Sequence, residues 1–335
     1  MITPANFNIL VSTVTNLIGA AWTKTVPTFY SKFCQAVPSG STQEVYPWTG
    51  KLPKMRLWVG PRVTFQPAPQ TYTLVNQPFE STLSIDRFTL DDDQYDYLYR
   101  VLPDMAEQAR YQPDYMLRDL LENTGDQTGN LQNGLDGLTG FNTAHPIDFY
   151  NAGAGTYSND FLGGYTATLP APGGGTTNVT VGGALSPTAV FTAVEYMMQY
   201  KGEDLEPLGV VPNEIMVGTM LRGEAELIIR NTYFSPPTWG TQTGQVGAAE
   251  NPIARFGLNL TVNPLLKQAY TWYLADTSRG FKPWIHQRRE ATKMVPRVNE
   301  NDPVVFDQHT FLWGMWDRQA VGWGPSFLFA RSGPS

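Results

Sequence analysis

The sequence predicts an α+β fold, and three observations carry that prediction. One run of helical periodicity is long and isolated, extended segments dominate before it and again towards the C-terminus, and turn formers are abundant, with 31 Gly and 26 Pro in 335 residues. Helices and strands that cluster in separate stretches, without regular alternation, mark that class. Charged residues make up 16%, against about 25% in an average soluble protein, so other copies or partners are expected to cover much of the surface. A content of 41% apolar and 13% aromatic residues supports a large core and excludes wholesale disorder. The net charge of −7 excludes a basic nucleic-acid-binding domain.

Thr3-Pro4 reads as an N-cap followed by proline in the first helical turn, and Phe7, Leu10, Val14, Leu17, Ile18 and Ala21 then recur at helical spacing. Residues 23–42 are a polar, irregular arm interrupted by Pro27, Pro38 and Gly40, expected to lie along another surface. Residues 1–45 are thus an N-terminal helix and arm. No cation precedes Lys24, and Ser12, Thr13, Thr15 and Asn16 break the apolar stretch, so it is neither a signal peptide nor a membrane span. The single cysteine, Cys34, permits no internal disulfide and no cysteine zinc site, which points to assembly in the cytosol.

Residues 46–90 are extended and read as a long two-stranded hairpin. Its tip is expected near Pro67 to Gln70, because prolines cannot donate to a ladder. Arms of about 20 residues at ~3.3 Å each would reach roughly 60 Å, beyond the ~20 Å radius of gyration of a compact chain of this size. An isolated ribbon is marginal in water and needs a surface, here a neighbouring subunit. The expected inter-subunit contacts are Trp48, Lys51, Lys54, Arg56, Trp58, Arg62, Phe65, Pro67, Pro69 and Tyr72. Their basic members suit docking on an acidic surface of another copy, although solvated charge alone would also account for them.

Asp91-Asp92-Asp93 opens the long helix, where carboxylates complement the dipole. Leu98, Val101, Leu102, Met105 and Ala109 share one face, continued by Met116, Leu117, Leu120 and Leu121. Pro103 and Pro113 are expected to kink or interrupt it, so about 45 Å is an upper bound on its length. Glycines from Gly125 to Gly140 mark a flexible connection, and the glycine-rich stretch 150–183 reads as a surface insertion. Ser186-Pro187 restarts helix; a strand at 215–217 leads into a helix over 219–231. Residues 258–262, 270–274, 282–286, 304–306 and 311–329 read as strands.

No catalytic, cofactor or metal site is expected. His145, His286 and His309 lie in unrelated segments without i, i+4 spacing. The dipole explains the Asp91–Asp93 run without a cation, and Cys34 has no base nearby in sequence. G-x-S-x-G, P-loop and G-x-G-x-x-G patterns are missing. Nine tryptophans could build a carbohydrate platform, but they scatter along the chain, as core or interface anchors do.

Ordered motifs then carry a resemblance. Val37-Pro38, Tyr46-Pro47-Trp48-Thr49-Gly50, Met55-Arg56, Trp58-Val59-Gly60 and Arg62 resemble the Mu-like phage major head subunit family, gpT. Phe79-Glu80, Asp92-Asp93-Gln94-Tyr95, Pro113-Asp114, Phe141 to Pro146 and Pro207 to Pro212 follow in the family's order. So do Thr271 to Leu274, Lys282 to Ile285, Gln287-Arg288, Gly314 to Arg318 and Gly322 to Gly324. The resemblance implies the Hong Kong 97-type phage major capsid protein fold. On that mapping 46–90 is the extended loop, 91–124 and 276–335 the peripheral domain with its spine helix, and 125–275 the axial domain with an insertion at 150–183. It further implies a homo-oligomer of hexamers and pentamers closing an icosahedral shell around double-stranded DNA without sequence-specific binding. Portal and scaffolding proteins, a decoration protein and a virion location after assembly in the host cytoplasm belong to the same implication. Within the fold, an encapsulin-like nanocompartment shell is the alternative; outside it, an acidic glycan-binding or glycan-hydrolysing protein, which would need carboxylates or tryptophans gathered in one cleft.

Overall fold

The computed structural model describes residues 28–48, 57–62, 70–88, 97–124, 133–149, 151–170, 175–231, 233–234, 249–299 and 301–335, with positions 12, 16, 19 and 20. The helix expected from Thr3 therefore lies almost wholly outside the described residues, and the Asp91–Asp93 run entirely so. The chain enters through α1 (Tyr30–Phe33) and β1 (Cys34–Pro38), followed by β2 (Gln43–Trp48), β3 (Gln70–Val75), β4 (Gln77–Asp86) and the long α2 (Tyr97–Glu122). Next come β5 (His145–Pro146), β6 (Thr156–Tyr157), β7 (Asp160–Leu162), β8 (Tyr165–Pro170), β9 (Thr176–Val181), α3 (Pro187–Met198), β10 (Glu214–Val217) and α4 (Arg222–Arg230). The remainder comprises β11 (Tyr233–Phe234), β12 (Ala249–Glu250), β13 (Asn259–Val262), β14 (Trp272–Ala275), β15 (Trp284–Arg297), α5 (Pro303–Gln308), β16 (Thr310–Trp323) and β17 (Phe329–Gly333).

Two sheets organise these elements, one of order β1-β15-β16-β4 and one of order β13-β10-β14-β17-β7. In the first, β16 alternates: Phe311, Trp313, Met315, Asp317 and Gln319 are buried while their neighbours are half-exposed, the period of a strand with one covered face. The second sheet is covered on both faces. Ile215, Val217, Trp272 and Leu274 pack with Val190, Ala193 and Met197 of α3 and Ala225 and Ile228 of α4. Met216, Tyr273 and Ala275 on the opposite face meet Met116, Leu117, Leu120 and Leu121 of α2. That double covering explains why β14 is apolar without alternation.

Helix α2 runs unbroken for 26 residues, about 39 Å, so Pro103 and Pro113 do not interrupt it. Each proline costs about 3 kcal/mol inside a helix, but each of the four buried apolar side chains of its C-terminal half contributes about 1.5–3 kcal/mol, enough to hold the helix together. The arm is another correction. Phe33 and Cys34 are buried, and β1 runs parallel to β15 with Cys34 opposite Trp284. This part of the arm thus docks on its own subunit through Phe33 and Cys34.

The described strands of the hairpin differ from the expectation in their partners. β2 pairs antiparallel with β3 from Gln43↔Val75 to Trp48↔Gln70, whereas β4 leaves the ribbon and pairs with β16 along its whole length. Residues 77–86 therefore lie in the first sheet and not in the ribbon. Gln70 is part of the β2–β3 ladder, opposite Trp48, and the rest of the expected tip, Pro67 to Pro69, lies outside the described residues.

Within 150–183, Phe161 and Val181 are fully buried and β7 closes the edge of the second sheet, while β8 and β9 form a two-stranded sheet of their own. The connection before it is tight at Gly140, where any Cβ would enter the Trp323 indole. β17 pairs in the second sheet beside β14, and its Phe329 ring stacks on Trp284 and Trp323 of the first. Residues 304–306 are helical within α5, whose Asp302 accepts the Val304 N–H as an N-cap.

Candidate assembly surface

The base of the hairpin is pinned to the first sheet by polar contacts that fix its direction. Tyr46 donates its hydroxyl to Gln287 Oε1 at 2.7 Å, and Gln287 Nε2 donates to the Leu74 carbonyl at 3.2 Å. Tyr72 accepts the Trp323 N–H at 3.2 Å. Gly322 makes room for that ring, since a Cβ there would lie 2.5 Å from the Tyr72 hydroxyl. Burial raises both phenols, Tyr46 to about 12, so both stay protonated. At the outer corner the Glu44 carboxylate accepts from the Ser39 hydroxyl and the Gly40 N–H, each at 2.8 Å, which lowers its pKa. Asn76 closes the corner from the other side, donating to Ser39 Oγ at 2.8 Å and the Ser41 carbonyl at 2.9 Å.

Between β2 and β3 in sequence, the described residues 57–62 carry an exposed apolar triplet. Leu57, Trp58 and Val59 are 86%, 69% and 71% exposed. Trp58 donates its indole N–H to the Gly60 carbonyl at 2.9 Å, and the Arg62 guanidinium lies 4.9 Å from the Trp58 ring. Gly60 has φ +79°, the left-handed conformation that glycine adopts without penalty. The turn thus presents three consecutive apolar side chains to solvent, and a stacked cation braces the central one.

Of the ten expected contact residues, the structure brings together only Trp58 and Arg62. Trp48 ends β2 opposite Gln70; Lys51, Lys54, Arg56, Phe65, Pro67 and Pro69 lie outside the described residues. Tyr72 is a correction: it is buried against Leu74 and Ala320, so its side chain is consumed inside its own subunit. Leu57 and Val59 were missed. Their signal was the Gly60-Pro61 turn pair directly after an apolar triplet, which the prolines at 67 and 69 outweighed.

Elsewhere the polar groups serve structure. His145 is buried with Nδ1 against the Asp136 carboxylate and Nε2 3.0 Å from Asn159 Oδ1, which pins the 133–149 connection. The Cys34 thiol is buried and raised far from the thiolate range by desolvation. Among the described residues no three His, Cys, Asp or Glu side chains gather as metal ligands. Trp272, Trp284, Trp313 and Trp323 are core residues, so they form no carbohydrate platform. No described helix is long and apolar enough to cross a membrane.

Comparison with known proteins adds independent findings. The family profile described as Mu-like prophage major head subunit gpT matches residues 8–169 and 258–332. The major capsid protein of Escherichia phage Mu is 31% identical over 121 residues. That alignment covers 36% of this chain and 38% of the Mu protein, well under two thirds of its length. Among solved structures, the procapsid of bacteriophage JBD30 matches with a TM-score of 0.52 at 23% identity, covering 99% of this chain and 76% of that one. Microbacterium phage Oxtober96 matches with a TM-score of 0.55 at 11% identity, covering 93% of this chain and 92% of that one.

Proposed function

Because the chain belongs to the Mu-like prophage major head subunit gpT family and has the Hong Kong 97-type capsid fold, we propose that it is the major capsid protein of a tailed phage. Copies assemble into hexamers and pentamers of an icosahedral shell enclosing double-stranded DNA. The observation that carries this reading is the exposed triplet Leu57, Trp58 and Val59, which lies in sequence between the two strands of the pinned hairpin. Three adjacent apolar side chains held in water are unfavourable, and a second subunit can bury them, each contributing about 1.5–3 kcal/mol if fully covered. The basic residues Lys51, Lys54, Arg56 and Arg62 with Trp48, Phe65, Pro67 and Pro69 extend that contact along the loop.

The chain works by association and not by catalysis. An acidic wall suits a container, since repulsion of phosphates limits adhesion of the packaged DNA. Portal, scaffolding and decoration proteins are its further partners, the virion its destination and the host cytoplasm its place of assembly. Electron microscopy of the purified protein, with sizing chromatography of the same sample, tests this. Closed shells or rings of five or six are expected, and DNA in the shells separates a phage head from a protein-filled nanocompartment. A compact monomer at every salt and protein concentration would overturn it.

A further inference from the structure

A cavity of about 210 Å³ opens where the 133–149 connection, β6, the loop between α3 and β10 and the turn before β17 meet. Ile147, Phe149, Leu208, Pro325 and Phe327 give it apolar walls. The polar groups of those walls are engaged with one another. Tyr157 and Ser326 share a hydrogen bond of 2.7 Å, and the Asp136 carboxylate holds His145. Arg279 donates to the Asp276 carboxylate at 3.1 Å and to the Leu208 carbonyl at 2.8 Å. The cavity therefore demands no hydrogen bond of an occupant, and it exceeds the ~150 Å³ that takes up a benzene ring. Lys201, Gly202 and Glu203 form part of its rim. Their loop is closed by the Gly202 N–H to the Glu206 carbonyl at 2.9 Å and the Leu205 N–H to the Gly202 carbonyl at 2.8 Å. It holds the exposed Leu205 at φ +57°, a left-handed conformation costly for a residue with a Cβ, and strain of this kind gathers at binding sites.

We propose that this cavity receives Trp58 of a second copy, an inference that rests on the reading of the chain as a shell subunit. The Trp58 indole suits it because its N–H already donates to the Gly60 carbonyl, so the ring enters apolar surroundings without stranding a donor. Charge sets the partner. Residues 51–62 carry Lys51, Lys54, Arg56 and Arg62 and no acid, whereas 201–206 carry Glu203, Asp204 and Glu206 against Lys201, a net charge of 1 − 3 = −2. Opposite charge across a contact fixes its register and speeds encounter. Arg62, which stacks on the Trp58 ring, reaches the Glu203 rim with it, and Val59 comes to rest beside Leu205. The turn and the cavity are different surfaces of one chain, so the contact is head-to-tail, the kind that repeats around a ring.

Crosslinking in assembled shells of the full chain tests this. With the buried Cys34 left in place, a bismaleimide is expected to join Val59→Cys/Leu205→Cys subunits into a ladder from dimer to hexamer on denaturing gels, while each single variant stays monomeric. Trp58→Ala should keep native circular dichroism and raise the protein concentration at which shells appear at least about tenfold. Wild-type shells with no ladder in the double variant would overturn the proposal and leave the shell reading intact. So would dimers from Val59→Cys alone, which would mean that turn meets turn, or Trp58→Ala shells at the wild-type threshold. A wild-type chain that never assembles would overturn both. Should the double variant fail to assemble, Val59→Cys with Lys201→Cys on the same rim takes its place.

Discussion

Tyr72 combines a buried ring with a hydroxyl that accepts the Trp323 N–H. Tyr72→Phe keeps the ring but removes its hydrogen bond to that N–H, and such a bond is worth about 0.5–1.5 kcal/mol. Denaturant unfolding of the isolated subunit is expected to show a loss of that size, and no loss would mean that the contact is idle. Glycine makes the complementary point. Gly322→Ala drives a methyl onto the Tyr72 hydroxyl, so it should destabilise by about 1–3 kcal/mol as overpacking does, checked by the same unfolding curve. Neither role was legible from sequence, because each depends on a partner some 250 residues away. Trp58 and Arg62 were legible, since they lie four residues apart on one exposed turn.

At the scale of elements, α2 was readable because its apolar residues keep helical phase across both prolines. What misled was treating Pro103 and Pro113 as breaks, when tertiary packing outweighs their cost. Leu117 carries much of that packing: it is fully buried among Phe33, Trp284 and Tyr273. Leu117→Ala is expected to cost about 2–5 kcal/mol, measured as a lower denaturation midpoint with unchanged slope. The hairpin failed to be read for a related reason. Its register is fixed by β2 against β3 and by the β3 side chains that lie on the first sheet, contacts that local sequence does not show. Likewise β4 looks like a ribbon strand until its partner β16 is known, because Phe79, Leu83 and Ile85 alternate equally well on a sheet.

At the scale of the molecule, the ordered motifs exposed the fold class, but the division between the two sheets did not follow from chain order. β17 returns to the second sheet and β4 joins the first, and both choices are made by long-range pairing. Since the pinned base is built into the subunit and the tip is not, deletion of Leu57 to Arg62 should leave folding intact. The expected outcome is a subunit with native circular dichroism and unfolding midpoint that forms no shells under the electron microscope. Normal shells from that variant would show that the tip is not an assembly contact.

The pairing of β4 with β16 also sets a timetable for synthesis. A ribosome completes β4 by residue 86 but supplies its only sheet neighbour from residue 310 onwards, a wait on the order of 10 to 40 s at ordinary elongation rates. β1 waits slightly longer for β15. Throughout that interval the nascent chain carries two unsatisfied strand edges, the kind of template that recruits wrong partners. Translation of the closing strands is thus the step that makes the subunit safe from aggregation, and a chain stalled before residue 310 is a candidate for chaperone capture.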